Sequence, residues 1–282
     1  MVAPAIIYIL VLVGYPFLLA LYLSFSDADV STTGLGRFVG LDNYIALFES
    51  SVFLTALRNT ILFAFVSAVF KSLLGTTLAF LLAENMPGTR LFRVIILLPW
   101  TVPIALSSIM WKWMYDTQYS IINWGLHAVG ILKPSDMPNW LGDPTLAIMS
   151  IIAVNIWRGF PFGAVILLAG MTSIPQEILD AAKVDGAGHV TRFRKVIVPM
   201  ILPVVLVGTL YDLVFTLSDM TLVYLLTRGG PANVTHVLSS YAFLVGVQSG
   251  ALGRGAAIAL LLFPLLLVVV FFVLRGLRRR DI

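Results

Sequence analysis

The chain has 282 residues, 59% of them hydrophobic and 11% charged, with a mean hydropathy of +0.98. A soluble domain carries roughly 25% charged residues, so the composition excludes one and points to an all-α integral membrane protein. The absence of cysteine excludes a disulfide framework, a thiol nucleophile and a cysteine metal site, and the placement of the net charge of +4 argues against nucleic-acid binding.

Apolar stretches of about 20 residues are long enough to cross a bilayer as helices. Six transmembrane helices are predicted, over 3–25, 59–83, 94–115, 146–169, 200–224 and 255–275, in one membrane domain covering 1–282. The first stretch lacks the basic lead and cleavage site of a signal peptide. The chain opens directly on it, so a short leader is expected to precede it. Prolines 16, 99, 103, 161, 203 and 264 lie in or beside spans and predict kinks that neighbouring helices accommodate. The loops 26–58, 116–145 and 225–254 have room for short surface helices.

Lys and Arg placement orients the spans. Alternate loops hold Arg90, Arg93, Lys183, Arg192, Arg194, Lys195, Arg275, Arg278, Arg279 and Arg280, ten basic residues, against five in the opposite loops, Arg37, Arg58, Lys133, Arg228 and Arg254. The richer side is expected to be cytoplasmic, together with both termini.

The segment 171–199 on that side is charge-dense in a chain that otherwise suits lipid. Pro175 opens a helix with Glu177 and Asp180 near its start, Gly186 allows a sharp turn, and a second helix is predicted from Gly188 to Val198, ended by Pro199. Two short helices with small residues at Ala181, Ala182, Gly186 and Ala187 suit docking against another protein; an amphipathic hairpin lying on the membrane is the alternative.

Asp180-Ala181-Ala182, Gly186, and Val196-Ile197-Val198-Pro199 after nine intervening residues resemble the EAA loop of binding-protein-dependent ABC importer permeases. Phe38–Tyr44, Leu97-Leu98-Pro99-Trp100, Asn155–Pro161 and Leu225–Pro231 resemble the carbohydrate-uptake branch, on the pattern of the larger maltose permease subunit. The resemblance implies that Glu177, Asp180, Ala181, Ala182, Asp185, Gly186, Ala187 and Pro199 form a coupling helix seated on an ATPase subunit. It implies as partners a second permease subunit, two ATPase subunits and an external solute-binding protein, with ATP and Mg held by the ATPases and no cofactor or catalytic residue on this chain. The location implied is a prokaryotic inner membrane.

Charges within spans are costly and are candidates for function. Asp212, Phe215, Thr216 and Asp219 are spaced to share one face of the fifth span, where they would line a cavity or pair with the buried bases Lys71 and Arg158. The resemblance implies a substrate path through Arg158, Gly159, Phe162, Asp212, Phe215, Thr216 and Asp219. The charges at 158, 212 and 219 depart from the maltose pattern and turn the expectation to another small saccharide or a related polyol. Trp111, Trp113, Trp124 and Trp140 are expected at the membrane interface, and Trp100 and Trp157 in packing. The histidines, at 127, 189 and 236, show no metal-ligand spacing and receive no role. No Gly-x4-Gly-Lys-Ser/Thr loop occurs, so energy must come from another chain; the competing reading is an ion-coupled secondary transporter using Asp212 and Asp219.

Overall fold

The computed structural model describes residues 2–31, 34–83, 88–133 and 136–278; Arg279 and Arg280, counted above, lie outside them. In chain order the helices are α1 (Ala3–Ser24), α2 (Asp42–Glu49), α3 (Ser51–Ala83), α4 (Leu91–Thr101), α5 (Ile104–Met114), α6 (Ile121–Ala128), α7 (Pro144–Thr172), α8 (Gln176–Val184), α9 (His189–Ser218), α10 (Thr221–Leu226), α11 (Leu238–Gln248) and α12 (Leu252–Leu277). Helices α1, α3, α7, α9 and α12 are each long and apolar enough to cross a membrane, and α4 and α5, bent by 89° at their junction, are long and apolar enough for a sixth crossing only if taken together. The described residues form no β-strand, only an isolated bridge between Ser26 and Phe38.

Backbone chemistry explains where the span predictions shift. The bend in the third span falls at Val102 and Pro103, both extended at ψ 132°, because a residue before proline avoids helical geometry. Elsewhere proline is absorbed: α7 runs through Pro161 and α9 through Pro203. Wide π-type turns at Leu10–Gly14 and Phe193–Ile197 come just before Pro16 and Pro199, where a missing N–H would otherwise break the ladder. Pro199 therefore does not end a short second helix: His189 begins a rod that continues to Ser218. The fifth span also stops earlier than 224. Asp219 leaves helical geometry (φ −77°, ψ 102°), and its Oδ1 accepts from the N–H groups of Thr221 and Leu222 at 2.9 and 3.3 Å, capping α10.

The bundle is layered along its long axis. Helices α3 and α7 share the most extensive contact, and α9 packs against both. Near one end Phe63, Ile151, Val154, Leu222 and Val223 form one apolar cluster. Near the α8 end Ala79, Leu82, Leu167, Leu168 and Ile201 form another. Between these layers the same three helices carry the polar residues. A third cluster, with Phe53, Ala56, Leu238 and Ile258, ties α3 to α11 and α12. Much of the outer apolar surface, including Tyr8, Leu12, Phe65, Val268 and Phe272, is exposed, as lipid-facing helices require.

Candidate functional site

The polar layer opens as a cavity of ≈ 380 Å³ between α3, α4, α7, α9 and α10. All the residues proposed for a substrate path, Arg158, Gly159, Phe162, Asp212, Phe215, Thr216 and Asp219, line it together with Lys71. Helical spacing brings Asp212, Phe215 and Thr216 to the wall from one face of α9. Asp219 reaches it by a different route, as the cap of α10.

The charges are arranged unevenly. Lys71 Nζ lies 2.7 Å from Asp212 Oδ1 and donates to Thr216 Oγ1 at 3.0 Å, with the lysine side chain 8% exposed and the carboxylate 25%. A buried charge of this kind is tolerated only when paired and hydrogen-bonded. Gly159 makes room for it: a Cβ at that position would stand 2.5 Å from Lys71 Cε. Of the two alternatives, pairing with an acid or lining a cavity, Lys71 takes the first and Arg158 the second. Lys71 occupies Asp212, backbone N–H groups occupy Asp219 Oδ1, and Arg158 makes no ion pair among the described residues. Its buried Nε has no hydrogen-bond partner, and neither has Asn155 Oδ1 beside it in the cavity wall.

One wall is aromatic. Trp100 stacks on Phe162 with centroids 4.6 Å apart and planes 10° from parallel. Phe162 meets Tyr211 at 5.4 Å and Tyr211 meets Phe215 at 4.4 Å. Trp100, Tyr211 and Asn155 are cavity residues that sequence reasoning missed; Trp100 was assigned to packing. The position of Tyr211 beside Asp212 was visible, but the contact of Trp100 with Phe162 on α7 is a tertiary one.

Other expectations divide. Trp113 and Trp124 are exposed, at 64% and 66%, as interfacial residues would be. Trp111 and Trp140 instead pack inward: Trp111 meets Trp157 edge-on at 5.3 Å, and Trp140 Nε1 donates to Asn123 Oδ1 at 2.7 Å. His236 has a structural role that its sequence context concealed. It is 1% exposed in the loop 227–237, with Nδ1 3.0 Å from Ser240 Oγ, and burial pushes its imidazole down to about 4. Asn59 Nδ2 fastens that loop by donating to the carbonyls of Val234 and His236 at 2.7 and 3.1 Å.

The 171–199 segment projects from the opposite end of the bundle. Glu177, Asp180, Ala181 and Ala182 lie on α8, which buries none of its residues. Asp185, Gly186 and Ala187 make the following turn, with Gly186 at φ +76°, and Pro199 lies apart from it, on α9. Asp180 accepts from Lys183 Nζ at 2.6 Å and Gln176 Nε2 at 3.1 Å, and the bond from Lys183 holds its carboxyl below the usual range.

Comparison with known proteins gives this architecture a family. The chain is 34% identical to the trehalose/maltose transport system permease protein MalF of Thermococcus litoralis, over all of this chain and 94% of that protein. It is 29% identical to the sulfoquinovosyl glycerol transport system permease protein SmoG of Agrobacterium fabrum, over all of this chain and 90% of that one. Among solved structures, a chain of a bacterial alginate ABC transporter in complex with an alginate-bound periplasmic protein superposes with a TM-score of 0.84. It is 23% identical, and the match covers 99% of this chain and 93% of that one. Residues 72–281 match the family described as binding-protein-dependent transport system inner membrane component. A permease of this family is a transport subunit and no enzyme, because the ATPase is a separate subunit. The chain belongs to that family and is a membrane-spanning permease subunit of an ATP-driven importer.

Proposed function

We propose that the imported solute is a small saccharide or a related polyol and that it passes through the cavity between α3, α7 and α9. The observation that carries this reading is the chemistry of the wall. The aromatic run Trp100–Phe162–Tyr211–Phe215 offers apolar faces, while Arg158 and the 25% exposed Asp212 carboxylate bring a donor and an acceptor to the same wall. A polyhydroxylated ring has apolar faces and an equatorial rim of groups that both donate and accept, so it matches both halves. A few placed polar groups in a largely apolar pocket is also how small-ligand sites gain orientation. The four charged groups sum to zero, which suits an uncharged solute. The saccharides named for the relatives, trehalose, maltose and a sulfoquinovosyl glycerol, support the class.

The assembly we infer contains a second permease subunit, two ATPase subunits that hold ATP and Mg, and an external binding protein. Its ATPase contact is α8 with the turn through Asp185, Gly186 and Ala187. The excess of Lys and Arg in the loops on the α8 side supports a cytoplasmic position for that end and for both termini, in the inner membrane of a prokaryote. Ion-coupled transport finds no support in the cavity, since Asp212 is already engaged by Lys71.

The test is reconstitution of the importer in proteoliposomes with its ATPases and binding protein, followed by uptake measurements over a saccharide panel. Trp100→Ala and Phe215→Ala are expected to lower uptake of the transported saccharide at least tenfold while the ATPase subunits stay bound. Uptake unchanged in both variants would overturn the cavity as the path.

A further inference from the structure

Two cavities lie end to end in the bundle. The larger is bounded toward the α10 end by Asn155, Arg158 and Thr221. The smaller, of ≈ 40 Å³, is bounded toward the α8 end by Ile166, Val205 and Gly208. Lys71, Gly159, Phe162 and Asp212 line both and so form the layer between them. Both long helices pass through the layers in the same order, α7 from 155 through 159 and 162 to 166, and α9 from 216 through 212 to 208 and 205. The layer is therefore transverse to the path. Below it, ≈ 40 Å³ has room for little more than water, whereas small-molecule sites occupy roughly 300 Å³ or more. The path is shut at this level.

The polar bonds that close it all come from one side chain. Lys71 crosses the face of α7 at Gly159, where a Cβ would force the end of the lysine side chain to shift, and grips α9 through Asp212 Oδ1 and Thr216 Oγ1. Helix α9 is also the helix that begins in the coupling hairpin: it follows the turn at Gly186 and runs unbroken from His189 to Ser218. Asp212 lies about 35 Å along that rod from its start, at 1.5 Å per residue. A push on α8 that tilts or slides α9 against α3 acts on the Lys71–Asp212 contact directly. Water or solute hydroxyls in the larger cavity can take over each partner as it parts, so an ion pair opens here without exposing apolar surface.

We propose that the Lys71–Asp212 ion pair is the closed gate of the solute path, that Gly159 is the positioning residue that seats it, and that displacement of α9 opens it. This rests on the larger cavity being the path, and it adds a residue, Lys71, and a mechanism for coupling to it.

The chain has no cysteine, so Val205→Cys places a single reporter in the smaller cavity. The assembled importer, with cysteine-free partners, is reconstituted without nucleotide. A small charged methanethiosulfonate reagent is then added from the α10 side. Slow labelling is expected with the gate intact, and at least tenfold faster labelling in Lys71→Met/Asp212→Leu, which removes both charges together. Gly159→Ala, which keeps both charges but takes away the seat, is expected to accelerate labelling as well and serves if the double variant does not assemble. Fast labelling before any gate substitution, or equally slow labelling in whichever gate variants assemble, would overturn the gate. No solute is present, so this failure is separate from failure of the Trp100 and Phe215 uptake test.

Discussion

In α8 the ion pair between Lys183 and Asp180 leaves its two side chains 52% and 55% exposed, whereas in the cavity Lys71 is 8% exposed and meets Asp212 at 2.7 Å. Both contacts are short, but they do different work. An exposed pair on one helix contributes about 0–1 kcal/mol, so the hairpin owes its shape to local chemistry: the turn at Gly186, the helix start after Pro175 and the rod that follows. Its unburied surface leaves Glu177, Asp180 and Ala181 free for another protein. The cavity pair holds two helices 141 residues apart in sequence, and neither charge could remain there alone. In the proposed mechanism the first region would receive force from the ATPase and the second is where a shift of α9 would act.

That contrast can be broken most severely at Asp212. Asp212→Ala strands a buried ammonium and is expected to cost about 3 kcal/mol, seen as a clear drop in the melting temperature of the purified complex. Adding Lys71→Met should recover most of the loss; a single variant as stable as the parent would show that the interior pair counts no more than the surface one. Acid tests the buried side at His236. Its folded value of about 4 lies below the usual 6.5 of an imidazole, so the unfolded chain takes up a proton first. Stability is complete above pH 6.5 and falls as the pH drops toward 4, by an amount on the order of 2–3 kcal/mol. Melting curves across that interval should show the fall, and His236→Asn should flatten it. The smallest effect is expected at Lys183→Ala, which should leave the melting temperature within about 1 °C. Any change there should appear as weaker coupling of ATP hydrolysis to uptake, and a large loss of stability would sink the distinction between the two regions.

Several features were legible because they follow from local rules. Spans reveal themselves by length and hydropathy, and the polar stripe on α9 by helical spacing. The turn at Gly186 was legible because only glycine takes φ +76° freely. The misses share a different cause. Pro199 was read as a helix stop, but a single wide turn at Phe193–Ile197 absorbs it. Asp219 was placed on a helical face, but its carboxylate is drawn to the free N–H groups of α10. Spacing left open whether Arg158 pairs with an acid or lines a cavity, and contacts made by other elements decide it, since Lys71 and the backbone of α10 engage the two acids.

By itself the sequence determined that this is a multi-crossing membrane protein with a charged hairpin at one end and charged residues, Lys71, Arg158, Asp212 and Asp219 among them, within its predicted spans, because each of those features stands out against an apolar background. It could not determine which helices face one another. Lipid-facing and helix-facing surfaces are equally apolar, so hydropathy does not separate them. Only the tertiary structure decided that Lys71 crosses α7 at Gly159 to reach Asp212, that Trp100 stacks on Phe162, and that Arg158 has no ion-pair partner among the described residues beside a cavity of ≈ 380 Å³. Those choices rest on the close fit of small and large side chains between helices, a property of pairs of segments that no single segment records.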